Sequence, residues 1–338
     1  MKNTPEFLDL DRPDAVRLDV AHATALGTGA LRRIGYPDDE AAIVVGQLID
    51  NSLCGYRFAG LPRILAIARD AKTQRARTPI RIVHETPGSA LIDGGNNVGY
   101  VAVYRGMEIA LAKAKAAGIA SVGVFNSYFS GRNAYYVERI AEAGLVGIHT
   151  ASAQPHVLPP GGRAPALGTN PIAIGFPSRD GPVIYDIGTA SLMWGEVLLA
   201  AETGEALPAG LAFDADGNPT TDAKQAAAGG VVPWGGHKGY GLSFAIQALG
   251  LLAGAALAQG RVQDYGFLFV VIDPGLMLPG HDFAAQISEL VERIQATPRQ
   301  PGIDEIRVPS LRARRERERR RDEGILVDRA VVAALEAL

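Results

Sequence analysis

Two spacings of apolar residues divide the chain. Up to about residue 72 they fall at helical intervals. Pro37, Asp38, Asp39 and Glu40 precede Ile43, Val44, Leu48 and Ile49, and carboxylates at a helix start interact favourably with the macrodipole. A second helix is expected over 61–72, followed by a basic linker at 75–79. From residue 80 short β-branched runs alternate with helical stretches. Strands are expected at 80–83, 90–93, 119–125, 145–149, 183–187 and 268–272. The alanine-rich segment 102–117 predicts a helix that Gly118 ends, because a glycine adopts the left-handed cap conformation without strain. Another helix is expected over 135–143, ending at Gly144. Residues 201–236 are rich in Gly, Pro and Asp and read as loop. The apolar positions 283, 287, 290, 291 and 294 share one helix face and predict a buried stripe.

Composition narrows the class. The chain has 338 residues, 47% apolar and 20% charged, with a net charge of −3. This describes a soluble globular protein large enough for two cores or one large α/β body, and the near-neutral balance argues against a nucleic-acid binder. The tail 311–321 (LRARRERERRR) is basic in isolation, but Glu316 and Glu318 interleave with the arginines, so a solvated helix face is expected. The lone Cys54 forms no internal disulfide, and no zinc-like spacing of ligands is present. No metal is expected. The N-terminus lacks the basic and apolar pattern of a signal peptide. The apolar stretch 242–257 is interrupted by Gln247, Gly250 and Gly254 and falls short of a membrane span. A cytoplasmic protein without nucleic-acid or membrane partners is expected.

Common motifs are missing. No strand leads into G-x-G-x-x-G opening a helix, and there is neither a P-loop nor G-x-S-x-G. Three glycine-rich polar segments remain. The first is Gly168-Thr169-Asn170-Pro171. The second is Asp186-Ile187-Gly188-Thr189-Ala190-Ser191, at the carboxyl end of an expected strand, where ligands of α/β sheets collect. The third is Gly235-Gly236-His237-Lys238-Gly239-Tyr240-Gly241, ahead of a helix expected to start near Leu242. Glycines, a lysine and a helix start together form an anion site. Each segment alone is weak, since Gly-Thr-Asn-Pro is commonly a turn. Together they point to a phosphorylated cofactor.

In GTNPIAIGFPS (168–178), VIYDIGTAS (183–191), LPAGLAFDADGNPTTDA (207–223) and VPWGGHKGYGLSFAIQALGLLAGA (232–255), the chain resembles the malate/L-lactate dehydrogenase-like NAD(P)-dependent oxidoreductases. That group includes enzymes of the ureidoglycolate dehydrogenase, 2,3-diketogulonate reductase and piperideine-2-carboxylate reductase type. The stretch 90–127 also fits. The resemblance implies a non-Rossmann, mixed-sheet α/β fold, bound NADH or NADPH, and a homodimer. Residues 1–78 are then a helical N-terminal segment packing with 304–338, and 79–303 the cofactor- and substrate-binding body. By the same resemblance Asp186, Ile187, Gly188, Thr189, Ser191, His237 and Lys238 line the cofactor, and Thr169 lies near the substrate.

The departures from the family pattern are chemical. Members carry Ser-His-Gly-x-x-Arg, whose histidine donates the proton and whose arginine grips the substrate carboxylate. Here the segment reads Gly55-Tyr56-Arg57-Phe58-Ala59-Gly60, which puts Tyr56 at the histidine and Gly60 at the arginine; a different gap would place Arg57 there. Family Asn-Ser-x-His-Phe-Gly becomes Asn126-Ser127-Tyr128-Phe129-Ser130-Gly131, so Phe129 replaces a second histidine. Carbonyl reduction needs a hydride and a proton delivered to the nascent alkoxide. A phenol, with its usual pKa of ~10, is a weaker acid than imidazolium but can donate a hydrogen bond to developing charge. Tyr56 is the first candidate donor and Tyr128 the second. Arg57, Arg63 and Arg132 are candidates for a displaced carboxylate clamp, because guanidinium binds carboxylate through two parallel donors. Each of these residues has a structural alternative, in the core or in a salt bridge. The expected activity is NAD(P)H-dependent reduction of a small 2-oxo acid-like carbonyl or a cyclic imine. A catalytically inactive, cofactor-binding or structural dimer is the alternative that loss of both histidines leaves open.

Overall fold

The computed structural model describes residues 14–56, 58–257 and 265–338. Strand β1 (Ala15–Leu18) leads into helix α1 (Val20–Arg33), whose first turn is capped by Asp19 accepting from the His22 backbone N–H. Helices α2 (Asp38–Leu53) and α3 (Arg63–Arg69) complete a helical layer. The body then runs β2 (Arg81–Thr86), β3 (Ser89–Val98), α4 (Gly99–Ala117), β4 (Ile119–Tyr128), α5 (Asn133–Glu142), β5 (Val146–Ser152), β6 (Ile172–Phe176) and β7 (Val183–Ile187). It continues with α6 (Trp194–Thr203), β8 (Ala212–Phe213), α7 (Ala223–Ala228), β9 (Gly230–Val231), α8 (His237–Leu252) and β10 (Gly266–Ile272). The chain closes with α9 (Pro274–Met277), α10 (Phe283–Gln295), α11 (Leu311–Glu323), β11 (Ile325–Asp328) and α12 (Arg329–Glu336).

The central sheet has the order β2-β3-β4-β10-β5-β6-β7. Only β3 and β4 pair in parallel; the other pairs are antiparallel. A parallel pair needs a crossover, and α4 supplies it. The helix lies so close to the sheet that a Cβ on Gly106 would stand 2.6 Å from Val124 Cγ2. Gly118 stops it at φ +79°, as its position after the alanine run predicts. The main core packs α2, α4 and the sheet around Leu48, Val103, Val124, Tyr136 and Phe269. The two chain ends meet: β1 pairs antiparallel with β11, and Arg33 donates to the Leu335 carbonyl.

Several expectations need correction. The segment 201–236 is not simply loop. It carries the end of α6, then β8, α7 and β9, which bury a second small core of Val157, Leu167, Val197, Ala212, Ala226 and Val231. Its elements are too short for a periodic signal. Helix α8 starts at His237 rather than near Leu242, since the glycines that read as loop are its entry turn and interior. The stripe on α10 forms but is not buried: Leu290 is 52% and Ile294 41% exposed, and Ser288 is the buried residue of that helix.

The arginine-rich α11 also departs from a solvated face. One side of it turns inward to carboxylates. Arg317 lies 2.6 Å from Glu138 Oε2 and 2.9 Å from Asp50 Oδ1, and Arg320 is buried against Glu316. Among the described residues no helix is long and apolar enough to cross a membrane, and no group of three metal-ligating side chains is present.

Candidate active site

The glycine-rich segments converge at one end of the sheet. The last residue but one of β7 is Asp186, whose carboxylate accepts the Ala134 backbone N–H at 2.8 Å and so caps α5. Asp186 is exposed on the strand, and desolvation by the protein around it raises its carboxyl pKa against the lowering effects of the cap and Arg132. Ile187 follows, half-buried. At Gly188 a Cβ would stand 3.0 Å from Met193 Sδ. Thr189 is fully buried, and both its N–H and its hydroxyl donate to the Thr169 carbonyl. It therefore staples two loops and offers no free hydroxyl to a cofactor. The Thr169 side chain is half-exposed beside it. Ser191 bonds the next turn, through its N–H to Val232 and its hydroxyl to Pro233.

Asn170, buried with φ +31°, donates to Ser243 and Gln247 of α8 and accepts from Ala153. This fixes the start of α8 against the strand ends. Gly235 and Gly236 carry φ near +60° with open space where a Cβ would stand, and at Gly239 a Cβ would fall 1.9 Å from the Trp234 carbonyl oxygen. His237 and Lys238 are exposed in the first turn of α8. Beside this turn lies a cavity of about 550 Å³ lined by Leu158, Arg163, Ser191, Phe213, Gly235 and Gly236, within the usual size of a ligand site. Open glycines, a helix start and an exposed ammonium suit a phosphate-bearing cofactor.

The candidate proton donor lies on the loop after α2, which reaches the start of α6 through Phe58 against Gly195. Asn51 Nδ2 holds the Ala59 carbonyl, and Gly60 packs so tightly that a Cβ would sit 2.1 Å from Ser52 Oγ. No arginine fits there. Tyr56 is half-exposed, and two guanidinium groups approach its ring, Arg132 and Arg312, each 5.2 Å from the centroid. Arg57 lies outside the described residues. Arg132 is committed elsewhere: it bonds Asp50 and Asn51 and is nearly buried, so the structure removes it as a free carboxylate clamp. Tyr128 is also corrected. It is fully buried with its hydroxyl 2.9 Å from Thr73 Oγ1, placing it in the core and not in the cleft. Arg63 remains available, its guanidinium 4.9 Å from the ring centroids of both Phe58 and Phe129.

The sequence reading passed over several residues here. Phe58 abuts Gly195 at the start of α6, His156 stacks on Trp194 at 3.8 Å, and Lys72 lies 5.7 Å from the Phe129 ring. Burial chiefly, and Lys72 secondarily, lower the His156 pKa to about 4. None of these stands in a motif. The only signal in the sequence was Phe129 itself, an aromatic ring where the family has a histidine.

Comparison with known proteins agrees with this architecture. Residues 18–336 match the family model described as malate/L-lactate dehydrogenase. The L-sulfolactate dehydrogenase of Methanothermobacter thermautotrophicus is 36% identical over 88% of this chain and 89% of its own. The Delta(1)-pyrroline-2-carboxylate reductase of Ancylobacter novellus is 32% identical over 97% of this chain and 98% of its own. Among solved structures, a dehydrogenase from Sinorhizobium meliloti superposes with a TM-score of 0.87 at 29% identity, covering 96% of this chain and 98% of that one.

Proposed function

The chain belongs to the malate/L-lactate dehydrogenase family and is an oxidoreductase, and from that premise we propose that it reduces a small 2-oxo acid or cyclic imine with NADH or NADPH, using Tyr56 as proton donor. The observation that carries this reading is the setting of Tyr56: a half-exposed phenol at the family histidine's place, clasped by Arg132 and Arg312.

When bound, the reduced nicotinamide supplies the hydride. The glycine turn at Gly235 and Gly236, with Lys238, would hold the phosphate-bearing part, Ser191 would brace that turn through its bonds to Val232 and Pro233, and Asp186 would line the wall beside it. Thr169 stands near the substrate. The phenol of Tyr56 delivers a hydrogen bond and then a proton to the oxygen that gathers negative charge. The attraction of two guanidinium groups to the ring restrains its direction. An iminium substrate already carries its proton, so for an imine Tyr56 has only an orienting role. We also propose a homodimer, supported by apolar side chains that a single chain leaves uncovered: Phe244 and Leu252 on α8, and Leu290 and Ile294 on α10.

Steady-state turnover with 2-oxo acids and cyclic imino acids, with each coenzyme, tests the assignment. Tyr56→Phe is expected to lower kcat about 10²-fold on 2-oxo acids, leaving coenzyme fluorescence titrations unchanged. Undiminished turnover would remove Tyr56 from the donor role. Coenzyme binding without turnover of any substrate would favour the inactive, cofactor-binding dimer.

A further inference from the structure

The family's clamping arginine has no room at Gly60, yet two cations sit close by without matching negative charge. Arg63 has no carboxylate partner among the described residues, and its Nε is buried with no hydrogen bond. Phe58 and Phe129 lie 4.9 Å from its guanidinium carbon. Rings flanking a guanidinium exclude water from its faces and leave its N–H edge as the donor surface. Lys72 approaches the same Phe129 ring at 5.7 Å and the Tyr265 ring at 6.0 Å. Among the described residues its one ion pair is with Asp70 at 3.6 Å, and its side chain is only 14% exposed. Two positive charges therefore face one negative charge in a partly desolvated pocket, where an uncompensated charge is costly.

The backbone supports a site here. Phe129 has φ +53°, an uncommon conformation for a bulky side chain and one that costs energy. That strain aims the ring at Arg63 and Lys72. Asn96 Nδ2 donates to the Lys72 carbonyl, and the Lys72 N–H donates to Asp70, so the lysine is anchored at its main chain while its ammonium is held by one distant carboxylate.

We propose that Arg63 and Lys72 together form the acid-group subsite of this enzyme, taking the carboxylate or sulfonate of an organic acid substrate in place of the family arginine. This rests on the substrate cleft proposed above, but its test does not. Arg63 gives a planar donor edge and Lys72 a point charge, both over the Phe129 ring. The substrate class is accordingly an acid anion, and a neutral ester of the same compound is excluded.

Isothermal titration of the coenzyme-free full chain with oxalate reads the subsite directly. The wild type is expected to bind oxalate. Arg63→Met and Lys72→Met should each weaken binding at least 10-fold, Lys72→Arg should stay within about threefold, and methyl pyruvate should not compete. Rescue by the second cation separates a charge role from a packing role. Should Arg63→Met fail to fold, Lys72→Met and Lys72→Arg alone decide. Absence of oxalate binding by the wild type, or equal affinity in the methionine variants, would overturn the proposal. Fluorescence titration with NADH and NADPH on the same samples keeps the two readings apart: loss of coenzyme binding sinks the redox proposal, and loss of oxalate binding sinks this one.

Discussion

Gly60 is where the chain's departure from its relatives becomes physical. With Ser52 Oγ 2.1 Å from the place of a Cβ, restoring the family residue would force the α2 end and its loop apart. Gly60→Arg is expected to destabilise the protein by more than about 2 kcal/mol in urea unfolding, as overpacking at a buried site does, and to restore no substrate affinity. Another single residue sets a pH response. His149 is fully buried, stacked on Phe269 at 4.0 Å, and burial lowers its pKa from 6.5 to about 3. Above pH 6.5 it is neutral whether folded or unfolded. Below that value the unfolded chain takes up a proton that the folded one refuses, so stability falls with pH until the folded pKa is reached. The loss at pH 5 relative to pH 8 is about 2 kcal/mol from this group. Urea titrations at the two pH values check it, and His149→Leu should shrink the difference to the part that His156, with its own pKa lowered to about 4, contributes.

At the scale of elements, α11 shows why part of the site was hidden in the sequence. The alternation of arginine and glutamate reads as a solvated face, and intrahelical pairs such as Arg319 with Glu316 fit that reading. The partners of Arg317 and Arg312 are far away in sequence: Asp50 and Glu138 for the first, the Cys54 carbonyl and the Tyr56 ring for the second. No periodicity reports such pairs. Strand and helix positions were legible because each rests on local pattern, as with Gly118 or the run that became β7. The cap on α5 was not, because Asp186 reaches it from a different strand. Asp50 holds Arg132 and Arg317 at once. Asp50→Asn should cost about 3–5 kcal/mol, the usual penalty for leaving a buried charge unpaired. It should also lower kcat, since Arg132 would no longer be held against Tyr56. Denaturant unfolding and turnover measured on one preparation separate the two effects.

Across the whole molecule the uncovered apolar side chains of α8 and α10 make a specific demand. The proposed homodimer predicts a light-scattering mass near twice the 35.6 kDa of one chain. Leu290→Asp is expected to halve that mass if α10 lies in the interface, with little change in far-ultraviolet dichroism; an unchanged monomer mass in the wild type would refute the dimer. The other large-scale feature is the pairing of the chain's first described strand with its last. Because β1 finds its partner only in 325–328, a nascent polypeptide cannot finish its N-terminal layer until those residues have been made. A premature stop anywhere before β11 would strand that layer without its mate, giving quality control an early mark of an incomplete product.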